Sequence, residues 1–216
     1  MFIKFFLLGF SILIAHTSMS RSYLVNSFNE TNDSSDLTIS YLIEVVSKKA
    51  KDDLGESYNG AIKTVFASDR KIRLRLVSLM RIQSVIISIG EEEDSLVTFI
   101  RESGKNKSVE HFSAEHWNLL HKKYEGSEIA FLNERLTILG YECKTARILL
   151  PDKTFLIVYY TDQIKHSLFQ HAEPMFRNIP GVVLKYVYVE KKAKLSYTAT
   201  LLSRDKIDPE VFEVRN

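Results

Sequence analysis

A single cysteine in 216 residues leaves an internal disulfide without a partner, so the fold cannot rest on a disulfide framework. Four prolines and eight glycines are too few for a collagen-like or low-complexity chain. An excess of one charge is also missing. Lys+Arg 29 against Asp+Glu 27 gives +2, so no global field draws the chain onto phosphate backbones or anionic lipid. Long apolar runs are missing too: the longest, Phe5 to Ala15, falls short of the about 20 residues that a membrane span needs. What is present, 45% apolar and 26% charged residues, is the composition of an ordinary globular domain.

The apolar run follows a lone early cation, Lys4, and precedes small polar residues, the layout of a secretory signal. Ser18-Met19-Ser20 offers cleavage before Arg21, and Ala15-His16-Thr17 is the alternative. Residues 1–20 are therefore expected to be a signal peptide. No cysteine stands near its end for lipid attachment, so the mature product is expected to be soluble, periplasmic or extracellular, and not a lipoprotein. Residues 21–36, rich in Asn, Ser and Asp, are expected to be a flexible spacer. They carry Asn29-Glu30-Thr31 and Asn32-Asp33-Ser34, which with Asn106-Lys107-Ser108 match the glycosylation pattern and inform only in a eukaryotic host. Residues 37–216 then form a single β-rich domain, large enough to bury about 70% of its unfolded surface.

Beyond Leu37 the dominant period is two. Leu37, Ile39, Tyr41, Ile43 and Val45 alternate with mostly polar residues, and Ile72, Leu74 and Leu76 alternate with Lys71, Arg73 and Arg75, predicting strands with one dry face. Ser84 to Gly90, Ser95 to Ile100, Leu136 to Leu149 and Leu195 to Leu202 extend the set. The runs Thr154 to Thr161 and Val182 to Val189 are apolar on both faces and need cover on both. The expected architecture is mainly β (α+β): an antiparallel sheet or half-barrel of about nine strands with one or two covering helices. Ser113 to Tyr124 is the first helix, with Ser113 as N-cap and Trp117, Leu120 and Tyr124 on one face; Asp162 to His171 is the second, with Ile164, Leu168 and Phe169.

Chemistry-bearing motifs fail one by one. Gly55 and Gly60 have P-loop spacing, but Ala61 and Ile62 stand where Lys and a hydroxyl belong. His111, His116 and His121 recur every five residues, about 140° apart on a helix, whereas a zinc helix needs i, i+4; no metal site is expected. Cys143 alternates like a strand residue and reads as a buried thiol. Glu91 to Asp94 reads as a solvated hairpin tip, and Arg70 to Arg75 as a wet strand face. No catalytic residue and no cofactor is expected, and the carboxylates Glu142 and Asp162 have no visible partner.

From Ile138 on, Gly140-Tyr141-Glu142-Cys143-Lys144-Thr145-Ala146, then Val158-Tyr159-Tyr160-Thr161, Asn178-Ile179-Pro180-Gly181-Val182-Val183 and Tyr197-Thr198-Ala199 follow in order. This series resembles the secreted bacterial family named GLPGLI for its Gly-Leu-Pro-Gly-Leu-Ile motif, and the related DUF4412-type domains. The chain departs from the name at Asn178, Ile179, Val182 and Val183. Gly140, Tyr141, Cys143, Ala146, Thr161, Pro180 and Gly181 are the structural motif positions, with Pro180 and Gly181 expected at the corners of a type II turn. The resemblance implies export and no established reaction. It also implies a lipoprotein-carrier-like fold, a half-barrel wrapped around an apolar cavity.

The expected function is that of an exported, non-enzymatic envelope protein. In it Phe155, Ile157, Tyr159, Leu184, Tyr186 and Tyr188 form a concave face for a lipid or other apolar ligand. The alternative is an envelope accessory or protein-interaction module in which that face packs on Trp117, Leu120 and Phe169 as a dry core. No nucleic-acid partner is expected.

Overall fold

The structure is a computed structural model that describes residues 36–47, 58–89, 96–166, 168–190 and 193–214. The expected signal peptide, nearly all of the spacer, the Glu91 to Asp94 tip and most of the Gly55 to Gly60 loop lie outside the described residues. Eleven strands form one open antiparallel sheet, in place of the about nine expected. They are β1 (Leu37–Ser47), β2 (Ile62–Ser68), β3 (Lys71–Val77), β4 (Ile82–Ser88), β5 (Leu96–Ser103), β6 (Asn106–Ser113), β7 (Glu128–Ile138), β8 (Tyr141–Leu149), β9 (Phe155–Thr161), β10 (Val182–Glu190) and β11 (Ala193–Ser203). The spatial order is β6-β5-β4-β3-β2-β1-β11-β10-β9-β8-β7. Two meanders of neighbouring hairpins are thus joined by the pairing of β1 with β11.

Three strands are absent from the sequence reading as strands of their own: β2, whose inward positions are less apolar than its outward ones, and the two edges, which share a cause. Both edges, β6 and β7, are solvated over nearly their whole length, so no dry face imprints a period of two on them. The run Leu136 to Leu149 is two strands rather than one. Leu139 (φ 51) and Gly140 (φ 83) turn β7 into β8, a two-residue connection of the kind that needs positive φ at both positions.

Residues opposite each other across the ladder share a face. On one face lie Ile39, Tyr41 and Ile43 of β1, Val65 and Ala67 of β2, Leu74 of β3, Tyr197 of β11, Tyr186 and Tyr188 of β10, and Leu156 and Val158 of β9. All but half-buried Tyr197 are buried. This inner face is covered from two directions. One cover is helix α1 (Ala114–His121), where the Ser113 hydroxyl accepts from the His116 N–H as expected of an N-cap. It buries Trp117, while Leu120 is only half-buried.

The other cover is residues 162–181. The expected helix over Asp162 to His171 is reduced there to a single turn, α2 (Phe169–Ala172), followed by a 3-10 turn at Pro174–Phe176. Ile164, Leu168, Phe169, Ala172, Phe176 and Ile179 are all buried in the core, but the helix cannot run on past Ala172, because Glu173 precedes Pro174 and is held out of the helical region at φ −134, ψ 88.

The outer face of the early sheet is less wet than the alternation predicts. Gln83 to Ile87 are buried on both sides of β4. The 3-10 turn at Pro209–Phe212 packs against β3, and Arg73, from the expected wet face, donates to the Val211 carbonyl at 2.7 Å and to the Ser84 hydroxyl at 3.0 Å.

Candidate functional site

The six residues expected to form one ligand face divide between two. Tyr186 stands opposite Val158 and Tyr188 opposite Leu156, on the inner face; Phe155, Ile157 and Tyr159 stand opposite Val189, Val187 and Lys185, on the outer face. The three outer residues are half-buried. Leu184, fully buried, sits at the bulge between Val183 and Lys185. In strands apolar on both sides the sequence shows no phase, and one bulge residue shifts the register by one and exchanges the faces. The inner-face residues of β9 are Leu156, Val158 and Tyr160.

The motif positions are structural. Gly140 makes the β7–β8 turn with half-buried Tyr141 after it. Cys143 is buried, its thiol reaching the Tyr141 carbonyl at 3.6 Å. Desolvation pushes that thiol up to about 11, so at neutral pH it is a poor nucleophile. Ala146 faces Val158 and Phe131, and the Thr161 hydroxyl accepts from the Gln163 N–H. The type II turn is not formed: the Gly181 N–H reaches back to the Ile179 carbonyl at 2.9 Å, an i→i+2 bond with Pro180 at its centre, the γ-turn pattern. Gly181 has φ +144, and a Cβ there would lie 2.1 Å from the Thr161 carbonyl oxygen.

The histidines are not brought together. His111 bonds to Thr98 on the strand next to it, His116 stacks on Phe112, and His121 lies tilted on Trp117 at 4.1 Å. Among the described residues no three His, Cys, Asp or Glu gather in a metal-holding arrangement. Asp162 is ion-paired with Lys144, whose hydrogen bond holds the carboxyl below its usual value, and Glu142 is exposed.

His121 is informative for stability. Burial lowers its ring to about 4, against the opposing effect of the Nδ1–H bond to the Trp117 carbonyl, with Lys123 and Arg177 adding repulsion. The unfolded chain therefore binds more protons than the folded one between about pH 6.5 and 4. Stability is full above that window and falls as the pH drops through it. The ring keeps some solvent contact, so the expected loss is about 2 kcal/mol. Urea midpoints at pH values on either side of the window check this, and His121→Gln should flatten the slope.

The chemistry concentrates around a residue that the sequence reading passed over. Lys63 of β2 stands opposite Tyr41 on β1 and Leu76 on β3, facing inward, and is 5% exposed. Its Nζ donates to Glu173 Oε1 and, at 3.0 Å, to Tyr186 Oη. Three rings surround the ammonium, with centroids at 5.4 Å (Tyr186), 5.6 Å (Tyr197) and 5.8 Å (Tyr41), all within cation–π range. Tyr186 stacks on Tyr197 at 4.3 Å and meets the edge of Phe176 at 5.1 Å, and Tyr41 donates to the Val183 carbonyl at 2.7 Å. Burial, and then the Glu173 carboxylate, raise the phenols of Tyr41, Tyr186 and Tyr197, so all three stay neutral.

Glu173 is 5% exposed and its second oxygen, Oε2, is buried with no hydrogen-bond partner. It comes not from the sheet but from residues 162–181. In β2 the inward positions read Lys63, Val65, Ala67 and the outward ones Ile62, Thr64, Phe66, so hydropathy alone points the strand the wrong way. The readable signal is a lysine in phase with Val65 and with the tyrosine of the preceding strand.

On the outer face a groove of about 600 Å³ runs between the sheet and the C-terminal turn. Arg73, Arg75, Lys105, Glu102, Glu210 and Glu213 mix both signs along it, which selects no ligand of one charge.

No family model and no curated protein matches the chain. Among solved structures, those of PNGF-II in the P21 and C2 space groups are similar to it. Identity is 16% in both, the matches cover 82% and 83% of this chain, and the TM-scores are 0.47 and 0.46. The chain spans 29% and 30% of those chains, less than a third of their length.

Proposed function

We propose that this chain is an exported, non-enzymatic envelope protein of the GLPGLI/DUF4412 kind, which holds an apolar ligand against the inner face of a lipoprotein-carrier-like half-barrel. In this reading residues 162–181 are the removable occupant of the ligand's place. The observation that carries it is the nature of that cover. It lies on an aromatic and aliphatic sheet face with only two short helical turns of its own, so detaching it breaks few backbone hydrogen bonds. What holds it is the burial of Ile164, Leu168, Phe169, Ala172, Phe176 and Ile179, apolar contact that the ligand's own chain would replace.

The export step rests on residues 1–20. Among the described residues no helix is long and apolar enough to cross a membrane. The test is native purification, lipid extraction and then titration of the stripped protein with a neutral fluorescent apolar probe. Saturable uptake of one probe per chain is expected. No extracted lipid and no saturable uptake would overturn the reading.

The accessory-module alternative draws support from the β7 edge, where Phe131 is 59% exposed and Leu136 38% exposed beside a solvated backbone. An exposed edge with apolar side chains is a template for a partner strand. Capture of a discrete partner from detergent-solubilised envelopes, lost in Phe131→Lys, would favour it.

A further inference from the structure

Lys63 sits where the fold gains nothing from a charge. Its ladder neighbours are Tyr41 and Leu76, and apart from Gln83, which stands opposite Leu76 on β4, the other buried strand residues of the inner face are aliphatic or aromatic. A buried ion pair is commonly no more stable than apolar side chains of the same volume, so a methionine or leucine in this position would serve the core as well. The surroundings are nonetheless arranged around the ammonium: three tyrosine rings hold it, and Tyr186 Oη accepts one of its protons. Having accepted, Tyr186 keeps its own hydroxyl proton to donate.

The partner is supplied in a different manner. Glu173 precedes Pro174 between α2 and the 3-10 turn, on the cover rather than on the sheet. It satisfies Lys63 with one oxygen and leaves Oε2, like Gln83 Oε1 on the same face, buried without a hydrogen-bond partner. Its neighbours Phe169, Ala172 and Phe176 are buried against the core. A single carboxylate followed by an apolar body is the chemistry of a fatty-acid anion.

We infer that Lys63 and its ring of tyrosines form the head-group site for a long-chain carboxylate, and that Glu173 occupies this site as an internal competitor when no ligand is bound. The inference rests on the binding function proposed above and names its substrate class. One ammonium matches a monoanion. The tyrosine hydroxyl supplies a second donor that Glu173 does not use, so a free carboxylate can engage both its oxygens. The apolar tail takes the place of Phe169 and Phe176 along the inner face. Binding and release of the cover are then the same event, since ligand and Glu173 cannot both reach Lys63.

The test uses the full mature chain stripped of lipid, with dodecanoate and dodecan-1-ol titrated at about pH 8, where a free carboxylate is ionised. Wild-type protein is expected to bind dodecanoate about tenfold more tightly than the alcohol, and Glu173→Gln to tighten dodecanoate a further tenfold, roughly, while leaving the alcohol little changed. The double variant K63M/E173L, which keeps the core apolar, should bind both equally. If wild-type protein and E173Q bind acid and alcohol alike, the head-group site is wrong and the apolar-ligand function stands. If neither ligand binds any of the three proteins, both fall. A carboxylate preference that persists in K63M/E173L also overturns the site, and it needs no reading of E173Q.

Discussion

Lys63→Met alone should destabilise the protein by about 3–5 kcal/mol, because it leaves the Glu173 carboxylate buried without a cation. The same change combined with Glu173→Leu should restore stability to the wild-type level or above it, since an apolar pair of similar volume carries no desolvation cost. The contrast separates a pair that the fold requires from one it merely tolerates. Urea midpoints for the single and double variants, read with the dependence of each on denaturant concentration, measure it. An equal loss in both variants would mean that packing of the lysine stem, not its charge, is what the core uses. A gain in the double variant would show that the pair is retained at a cost to stability, as expected of a group held for binding.

Gly181→Ala should cost about 4 kcal/mol, at the upper end of what single substitutions do. Two effects add. A φ of +144 is a region that side chains with a Cβ rarely enter, and the added carbon would stand 2.1 Å from the Thr161 carbonyl oxygen. That neighbour is backbone at the end of β9, so relief requires the strand end or the start of β10 to move. Thermal unfolding of the variant checks the loss. Since this turn also ends the cover, hydrogen exchange at Ile179 and Val182 should rise more than exchange at β3 amides. A loss under about 1 kcal/mol would show that the turn relaxes freely.

Much of the sheet could be read from the sequence, because one-sided burial leaves a period of two. β1 and β3 stand out as Leu37, Ile39, Tyr41 and Ile43, and as Ile72, Leu74 and Leu76, all buried. The Ser113 cap and buried Trp117 were readable for the same reason: a hydroxyl three residues ahead of an acceptor-seeking N–H, then an apolar stripe. The edges β6 and β7 were not, since solvent on both sides erases the pattern. The candidate face was misread in β9 because Phe155 to Thr161 is apolar throughout and has no readable phase. The Lys63 centre was hidden by its own chemistry. A charge in an inward position argues against burial until Tyr41, Tyr186, Tyr197 and Glu173, as many as 134 residues away along the chain, are seen around it.

The pairing of β1 with β11 has a consequence for how the molecule is made. Every other neighbouring pair of strands follows in sequence, but Thr38 meets Ser203 and Ser47 meets Ala193. Each meander can form from local contacts, while the contact that makes one sheet of them waits for the last strand to leave the ribosome. Until then β1 offers a bare edge in the middle of the future sheet, open to the same strand of another nascent chain. The lag between synthesis of Leu37 and Ser203 is thus the interval in which assembly can go wrong. An excess of β7–β11 supplied as a separate polypeptide during refolding would compete for that edge and trap the chain as half-sheets.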